Sequence, residues 1–286
     1  MNKTAQRFLV FFLGVPAVVA LVLLLPHRNH LALNLVLVAF SSLGAAEFSV
    51  MLAQKNLRIP KAEAAVLGAL LPAPMVFVGG IPLAAAILAL VLAATAGVSW
   101  LLLSRLFFGG AKLDGFIGGV VGGIAALLYP GIFVVWIMAM TLLGGENAGI
   151  VIMAFLVSVF AGDSLAWASG MLFGKGNRGI VPASPNKSVA GFVGGAIGPV
   201  IILVAAVHVW PGVFATDVPV IAGLVTGLLT GGAAILGDLA ESALKRSSGV
   251  KDSGRSILGR GGVLDSIDSV AMAAPVFFLC FMLFFA

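Results

Sequence analysis

Nine apolar runs of 18 to 27 residues follow one another along this chain, at about 7–25, 31–53, 62–79, 82–104, 118–141, 147–173, 189–209, 218–244 and 265–285. About 20 apolar residues in helical form cross the roughly 30 Å hydrocarbon core of a bilayer. The polar breaks between the runs are short. Only 9% of the 286 residues are charged and 61% are hydrophobic, where a soluble domain has about a quarter of its residues charged. A surface so poor in charge belongs in lipid. The expected fold is therefore all-α: a polytopic integral membrane protein of about nine transmembrane helices. The first run is too long for the core of a cleaved signal peptide and has no clear cleavage site after it, so it reads as a retained helix. The single cysteine, Cys280, can form neither an internal disulfide nor, alone, a zinc site; packing is its expected role.

The cations set the orientation. Lys3 and Arg7 precede the first run, and Lys55, Arg58 and Lys61 lie between the second and third. Arg105 and Lys112 follow the fourth, Lys175, Arg178 and Lys187 the sixth, and Lys245, Arg246, Lys251, Arg255 and Arg260 the eighth. With nine crossings, fifteen of the sixteen cations fall on one side and only Arg28 on the other. Positive loops stay in the cytoplasm. The N-terminus is thus expected inside and the C-terminus outside, in the inner or plasma membrane. The net charge of +5 reads as this bias, with no nucleic-acid partner. Gly118, Gly119, Gly122 and Gly123, and the ridge Gly223, Thr226, Gly227, Thr230 and Gly231, have the spacing that lets helices approach closely. A homodimer is compatible with such ridges.

Most acids have ordinary places in loops or at helix ends. Glu47, Asp163, Asp238 and Glu241 do not, because they lie within apolar runs. An ionised carboxylate there costs at least about 2.5–3.5 kcal/mol and needs compensation. Asp238, Glu241, Ser242 and Lys245 are spaced i, i+3, i+4 and i+7, so they share one face of a helix. That face is either a self-neutralising stripe, with Lys245 reaching for the interface, or a surface for metal and phosphate. Asp163, in "FAGDSLAWASGMLFGK", lies near a cytoplasmic end and is a candidate metal second shell or polar partner. Glu47 has no neighbouring motif and reads as a packing acid or the partner of some cation. The loop "FGKGNRGIVPASPNKS" offers glycines, cations and the hydroxyls of Ser184 and Ser188 beside Lys187, the materials of a phosphate site. It lacks the spacing of a P-loop.

Charge then gathers at 245–269, "KRSSGVKDSGRSILGRGGVLDSIDS", which holds eight charged residues. Gly259, Gly261 and Gly262 allow a sharp turn and close approach to a ligand. Asp265 and Asp268 follow at i, i+3 where the last run begins. They either cap that helix and meet its dipole or hold a metal. Carboxylates for a cation beside lysine and arginine for phosphate suit a magnesium–triphosphate complex.

These residues resemble the CDP-diacylglycerol synthase (phosphatidate cytidylyltransferase) family. The likeness is carried by Ser242, Leu244, Lys245, Arg246, Lys251, Asp252, Gly254, Gly261, Gly262, Asp265 and Asp268, and by the upstream "GDLAES", "SPNKS" and "GDSLAWASGMLFGK". It covers the chain from about residue 160. Four positions depart from the family pattern: Arg260 stands where it has histidine, Leu258 where it has proline or glycine, Ser266 where it has arginine, and Ala190 where it has glutamate. The resemblance implies that CTP and phosphatidate give CDP-diacylglycerol and pyrophosphate at the cytoplasmic leaflet, among membrane lipids. It implies Mg2+ and a second cation. Asp238 and Asp265 would be the main metal ligands, with Asp268 and Glu241 near them. Lys245 and Lys251 would be catalytic. Ser184, Lys187, Ser188, Arg246, Arg260, Gly261 and Gly262 would bind phosphate. Asp163, Ser242 and Asp252 would stand behind the metal. Residues 1–145 are then expected to serve packing, dimerisation and lipid contact, and 146–286 to hold the catalytic helices with cytoplasmic loops 174–188 and 245–264. The other readings are a CTP-dependent enzyme on an isoprenoid lipid phosphate, an ion-coupled transporter and an inactive relative.

Overall fold

The structure, a computed structural model, describes residues 3–108, 113–257, 259 and 261–286. Leu258, Arg260 and Lys112 lie outside the described residues. Ten α-helices follow in order: α1 Lys3–Val19, α2 His27–Ala53, α3 Lys61–Leu70, α4 Pro72–Met75, α5 Leu83–Phe108, α6 Phe116–Ala139, α7 Ala148–Phe173, α8 Val189–Val209, α9 Pro219–Ser247 and α10 Leu264–Phe284. Among the described residues the extended backbone pairs only in isolated bridges, Arg178 with Ser188 and Ile257 with Gly261. The all-α, multi-pass membrane architecture expected from hydropathy is what the chain forms.

Seven of the nine expected spans are helices long and apolar enough to cross a membrane. The other two differ. The first combines α1 with a π-helical turn at Ala20–Leu24, and its apolar part, Leu9–Leu24, is shorter. The third is broken. α3 has ten residues and α4 four, because Pro72 and Pro74 interrupt the hydrogen-bond ladder. The broken segment still covers the depth of a span. Arg105, in the last turn of α5, pairs at 2.6 Å with Glu63 in the first turn of α3. Residues 63–83 therefore run back along α5 from Arg105 to Leu83, roughly 33 Å at 1.5 Å per residue.

The chain forms two compact units, Met1–Met138 with Leu244–Ser266, and Ala139–Ala243 with Ile267–Ala286. In the first, α2 lies tightly on α3, and the Ser41 hydroxyl donates to the Gly68 carbonyl at 2.5 Å. An apolar core of Ala45, Leu67, Leu71, Leu101 and Leu127 is buried around them. The glycines of α6 are filled from within the chain. A Cβ at Gly118 or Gly122 would strike the backbone oxygens of Asn56 and Leu57, and one at Gly119 or Gly123 the side chains of Arg105 and Leu101. In the second unit Gly223, Gly227 and Gly231 of α9 sit against Val204, Val200 and Pro199 of α8. The two ridges that were compatible with a dimer thus pack helices of one chain. Outward faces are apolar: Ile87, Leu88, Val91 and Leu92 of α5 are each more than half exposed. That is expected of helices whose solvent is lipid.

Candidate active site

α9 is continuous from Pro219 to Ser247, so Asp238, Glu241, Ser242 and Lys245 occupy one helical face as their spacing predicted. The structure places the expected site residues in two clusters, each within one unit.

The first cluster is built on the start of α10. Gly261 adopts φ +112°, in the region that favours glycine, and Ile257 and Gly261 close the turn with two backbone hydrogen bonds of 2.8 and 3.1 Å. The turn aims its backbone at Asp265. Oδ2 of Asp265 accepts from Ser253 N at 2.8 Å, Gly262 N at 2.8 Å and Ser253 Oγ at 2.9 Å. Oδ1 accepts from Lys245 Nζ at 2.6 Å. The pair is largely buried, the Lys245 side chain 14% and that of Asp265 8% exposed. Lys245 is therefore tied down, not reaching for the interface. Ser266, at a departure from the family pattern, donates its hydroxyl to the Gly262 carbonyl at 3.2 Å. Lys251, Asp252 and Arg246 are exposed beside this cluster in the chain.

Glu47 joins the same cluster from α2. Of the two roles open to it in the sequence, packing acid or partner of a cation, its hydrogen bonds fit the first, since they come from neutral donors. Oε1 accepts from the Ser256 hydroxyl at 2.6 Å, and Oε2 from Leu264 N and from the Ser253 hydroxyl, each at 3.2 Å. Glu47, Ser253 and Ser256 are the residues that sequence reasoning did not assign to the site. Glu47 did carry one signal, a carboxylate inside an apolar run.

The second cluster lies where the 174–188 loop enters α8. Ser188, buried, is the N-cap of α8, its hydroxyl oxygen accepting from Gly191 N at 3.1 Å. Gly170 and Gly174 leave room for that hydroxyl. Lys187 forms an ion pair with Asp238 of α9 and lies 6.0 Å from the Phe192 ring centre. This pair is more open, with side chains 25% and 33% exposed. Ser184 is half-buried in the turn before Lys187. Glu241 is fully buried. Asp268 is half-buried, its backbone carbonyl against Gly237 of α9. Asp163 is exposed on α7.

Among the described residues no three His, Cys, Asp or Glu side chains are grouped to hold a metal ion. The donor chemistry does fit a hard divalent cation, which takes carboxylate oxygens. Each cluster offers a carboxylate that a lysine now holds, Asp265 Oδ1 and Asp238. The arrangement is one of lysine-neutralised acids, not a preformed cage.

In the first cluster the backbone amides that converge at the helix start are taken by Asp265 itself, beside a largely buried lysine. Residues 5–284 match the family model described as the cytidylyltransferase family, and the chain belongs to that family. Among individual relatives, it is 41% identical over 122 residues to the phosphatidate cytidylyltransferase of Haemophilus influenzae, covering 42% of each chain. It is 38% identical over 135 residues to the "Uncharacterized protein YnbB" of Escherichia coli, covering 46% of this chain and 43% of that one. It is 36% identical over 203 residues to the phosphatidate cytidylyltransferase of Brucella abortus, covering 64% of this chain and 72% of that one. The chain thus spans less than half the length of the first two of these relatives.

Proposed function

We propose that this chain condenses CTP with phosphatidate to give CDP-diacylglycerol and pyrophosphate. The observation that carries the reading is the pairing of the two main expected ligand acids with lysines expected in the site, Lys245 with Asp265 and Lys187 with Asp238. A lysine that neutralises an acid in the resting site is the group a polyphosphate takes over. Family membership and the names of the relatives support the same chemistry. On this reading a phosphate oxygen of the lipid attacks the α-phosphorus of CTP. The new P–O bond forms as the bond to the bridging oxygen breaks, and pyrophosphate leaves with those electrons. The lipid phosphate is already ionised, so the protein need supply no nucleophile. Its work is in-line positioning and charge neutralisation. Lys245 and Lys187 turn to phosphate oxygens, and the exposed Lys251 and Arg246 raise the local concentration of the nucleotide. Magnesium would be held in one cluster by carboxylate oxygens of Asp265, and a second cation in the other by Asp238, whose unit also carries Asp268 and Glu241; such cations would neutralise charge on the leaving pyrophosphate. The one-sided cations favour a cytoplasmic site in the plasma membrane, where CTP meets lipid phosphate at the leaflet surface.

The test is purified protein in vesicles with labelled CTP, Mg2+ and either phosphatidate or an isoprenoid phosphate. CDP-diacylglycerol and pyrophosphate are expected from phosphatidate, and chelation of Mg2+ is expected to stop the reaction. Asp265→Asn and Asp238→Asn should each remove the product without loss of expression. Wild-type protein that makes no CDP-lipid, or near-normal turnover in both variants, overturns the reading. Product from the isoprenoid phosphate alone reassigns the lipid.

A further inference from the structure

Glu47 sits 206 residues upstream of Ser253 in the chain and is 8% exposed. It is a carboxylate in an apolar helix, and its hydrogen bonds come from neutral donors of the 253–264 segment. The face of α2 that carries it is shaped for that segment. Phe48, Met51 and Leu52 bury Leu264 among them. A Cβ at Gly44 would lie 3.1 Å from Leu264 Cδ2. On the other side, Gly254 and Gly262 leave the space that the Glu47 carboxylate fills, since a Cβ at either would strike it.

The contacts also link Glu47 to Asp265. Leu264 N is the first amide of α10 and has no partner within the helix; Glu47 accepts from it. The next amide, Asp265 N, donates to Ser253 Oγ at 3.3 Å. The Ser253 hydroxyl has one hydrogen and two carboxylate oxygens within reach, Asp265 Oδ2 at 2.9 Å and Glu47 Oε2 at 3.2 Å. Ser253 is thus wedged between the acids, with its own amide also on Asp265. Removing Glu47 takes away an anchor from the hydroxyl that orients Asp265 and from the helix start that carries it.

We infer that Glu47 is a positioning residue, fixing Asp265 and the 253–264 turn through Ser253, Ser256 and the first amide of α10. The inference rests on the proposed function for its kinetic test, but not for its structural one. In vesicles with CTP and phosphatidate, Glu47→Ala should lower kcat about 100-fold, the scale of a small misplacement of a reacting group, with little change in KM for CTP. Glu47→Gln keeps the shape and can satisfy the same partners, its amide donating to Ser256 Oγ, and should restore most of the rate. If Glu47 acts through Ser253, Glu47→Ala in a Ser253→Ala background should cost far less than it does alone. Losses that multiply in the double variant, or a folded Glu47→Ala protein with normal kcat, overturn the inference. Amide hydrogen exchange on the same full-length proteins needs no turnover. Faster exchange at Ser253, Gly262 and Leu264 in Glu47→Ala, with α7 and α8 unchanged, is expected. Unchanged exchange at those three amides overturns the positioning role, whether or not the wild type makes CDP-lipid.

Discussion

Two glycine-containing loops each lead into a helix start and each present a lysine–aspartate pair, yet they are held in different ways. The 174–188 loop is organised locally. Ser188 caps its own helix three residues on, and Gly176 and Gly179, at φ +85° and +83°, have open space where a Cβ would be. The 253–264 loop is organised from a distance. Its amides converge on Asp265, its hydroxyls are anchored by Glu47 of α2, and Gly262 has no room for a Cβ. The first loop is held at its own helix cap, whereas Ser253, Ser256 and Gly262 of the second interlock through shared carboxylate partners.

The sharpest way to break this comparison is at the acids. Asp265→Asn removes the charge that Lys245 pairs with and leaves one acceptor oxygen where two now serve Lys245 and three backbone and side-chain donors, and turnover should fall at least about 100-fold, scored as CDP-lipid formed. Asp238→Asn should lose turnover too, but with the smaller loss of thermal stability, because its pair is the more exposed. Equal destabilisation of the two variants would erase the distinction.

Glycine substitution comes next. Gly262→Ala forces a Cβ against Ser253 Oγ and Glu47 Oε2, and should depress activity and raise exchange across 253–264 together. Gly179→Ala carries only backbone strain, about 1–2 kcal/mol, and its effect on melting should stay local to that loop. The lysines give a milder contrast. Lys245→Met strands a largely buried carboxylate and should cost about 1–3 kcal/mol, whereas Lys187→Met should cost under about 1 kcal/mol, as a partly exposed pair does. Thermal unfolding in detergent measures both. A comparable effect on melting is expected at Ser188→Ala, about 1 kcal/mol for a lost N-cap. Lost turnover with unchanged melting there would instead give the Ser188 hydroxyl to a phosphate.

What could be read in the sequence follows the range of the forces involved. Apolar length marked the helices that cross, and i, i+3, i+4, i+7 spacing put Asp238, Glu241, Ser242 and Lys245 on one face, because both signals are local. The Gly261–Gly262 turn before Asp265 was legible for the same reason. The break in the third span was not. Beyond Glu63 its composition is apolar, and only Pro72 and Pro74 within "LLPAPM" mark where the helix stops. Glu47 was visible as an anomaly but not as a member of the site, since nothing near it in the chain names Ser253, Ser256 or Leu264. The pairing of lysines with the expected ligand acids was also hidden, because spacing shows which residues share a face but not which charges choose each other across a loop.

The Arg105–Glu63 clamp has a consequence for how deep each part of the first unit can sit. α3 alone, with ten residues, is about half the length needed to cross a bilayer core. Joined end to end with α5, it takes its depth from its neighbour. The two behave as one hairpin whose open end is closed by a charge-neutral pair, to which Trp100 adds a hydrogen bond from its indole to Glu63 at 2.9 Å. Lengthening α5 by a turn would slide Arg105 away from Glu63, so the register of the short α3 along α5 is fixed by an ion pair and not by the length of either helix.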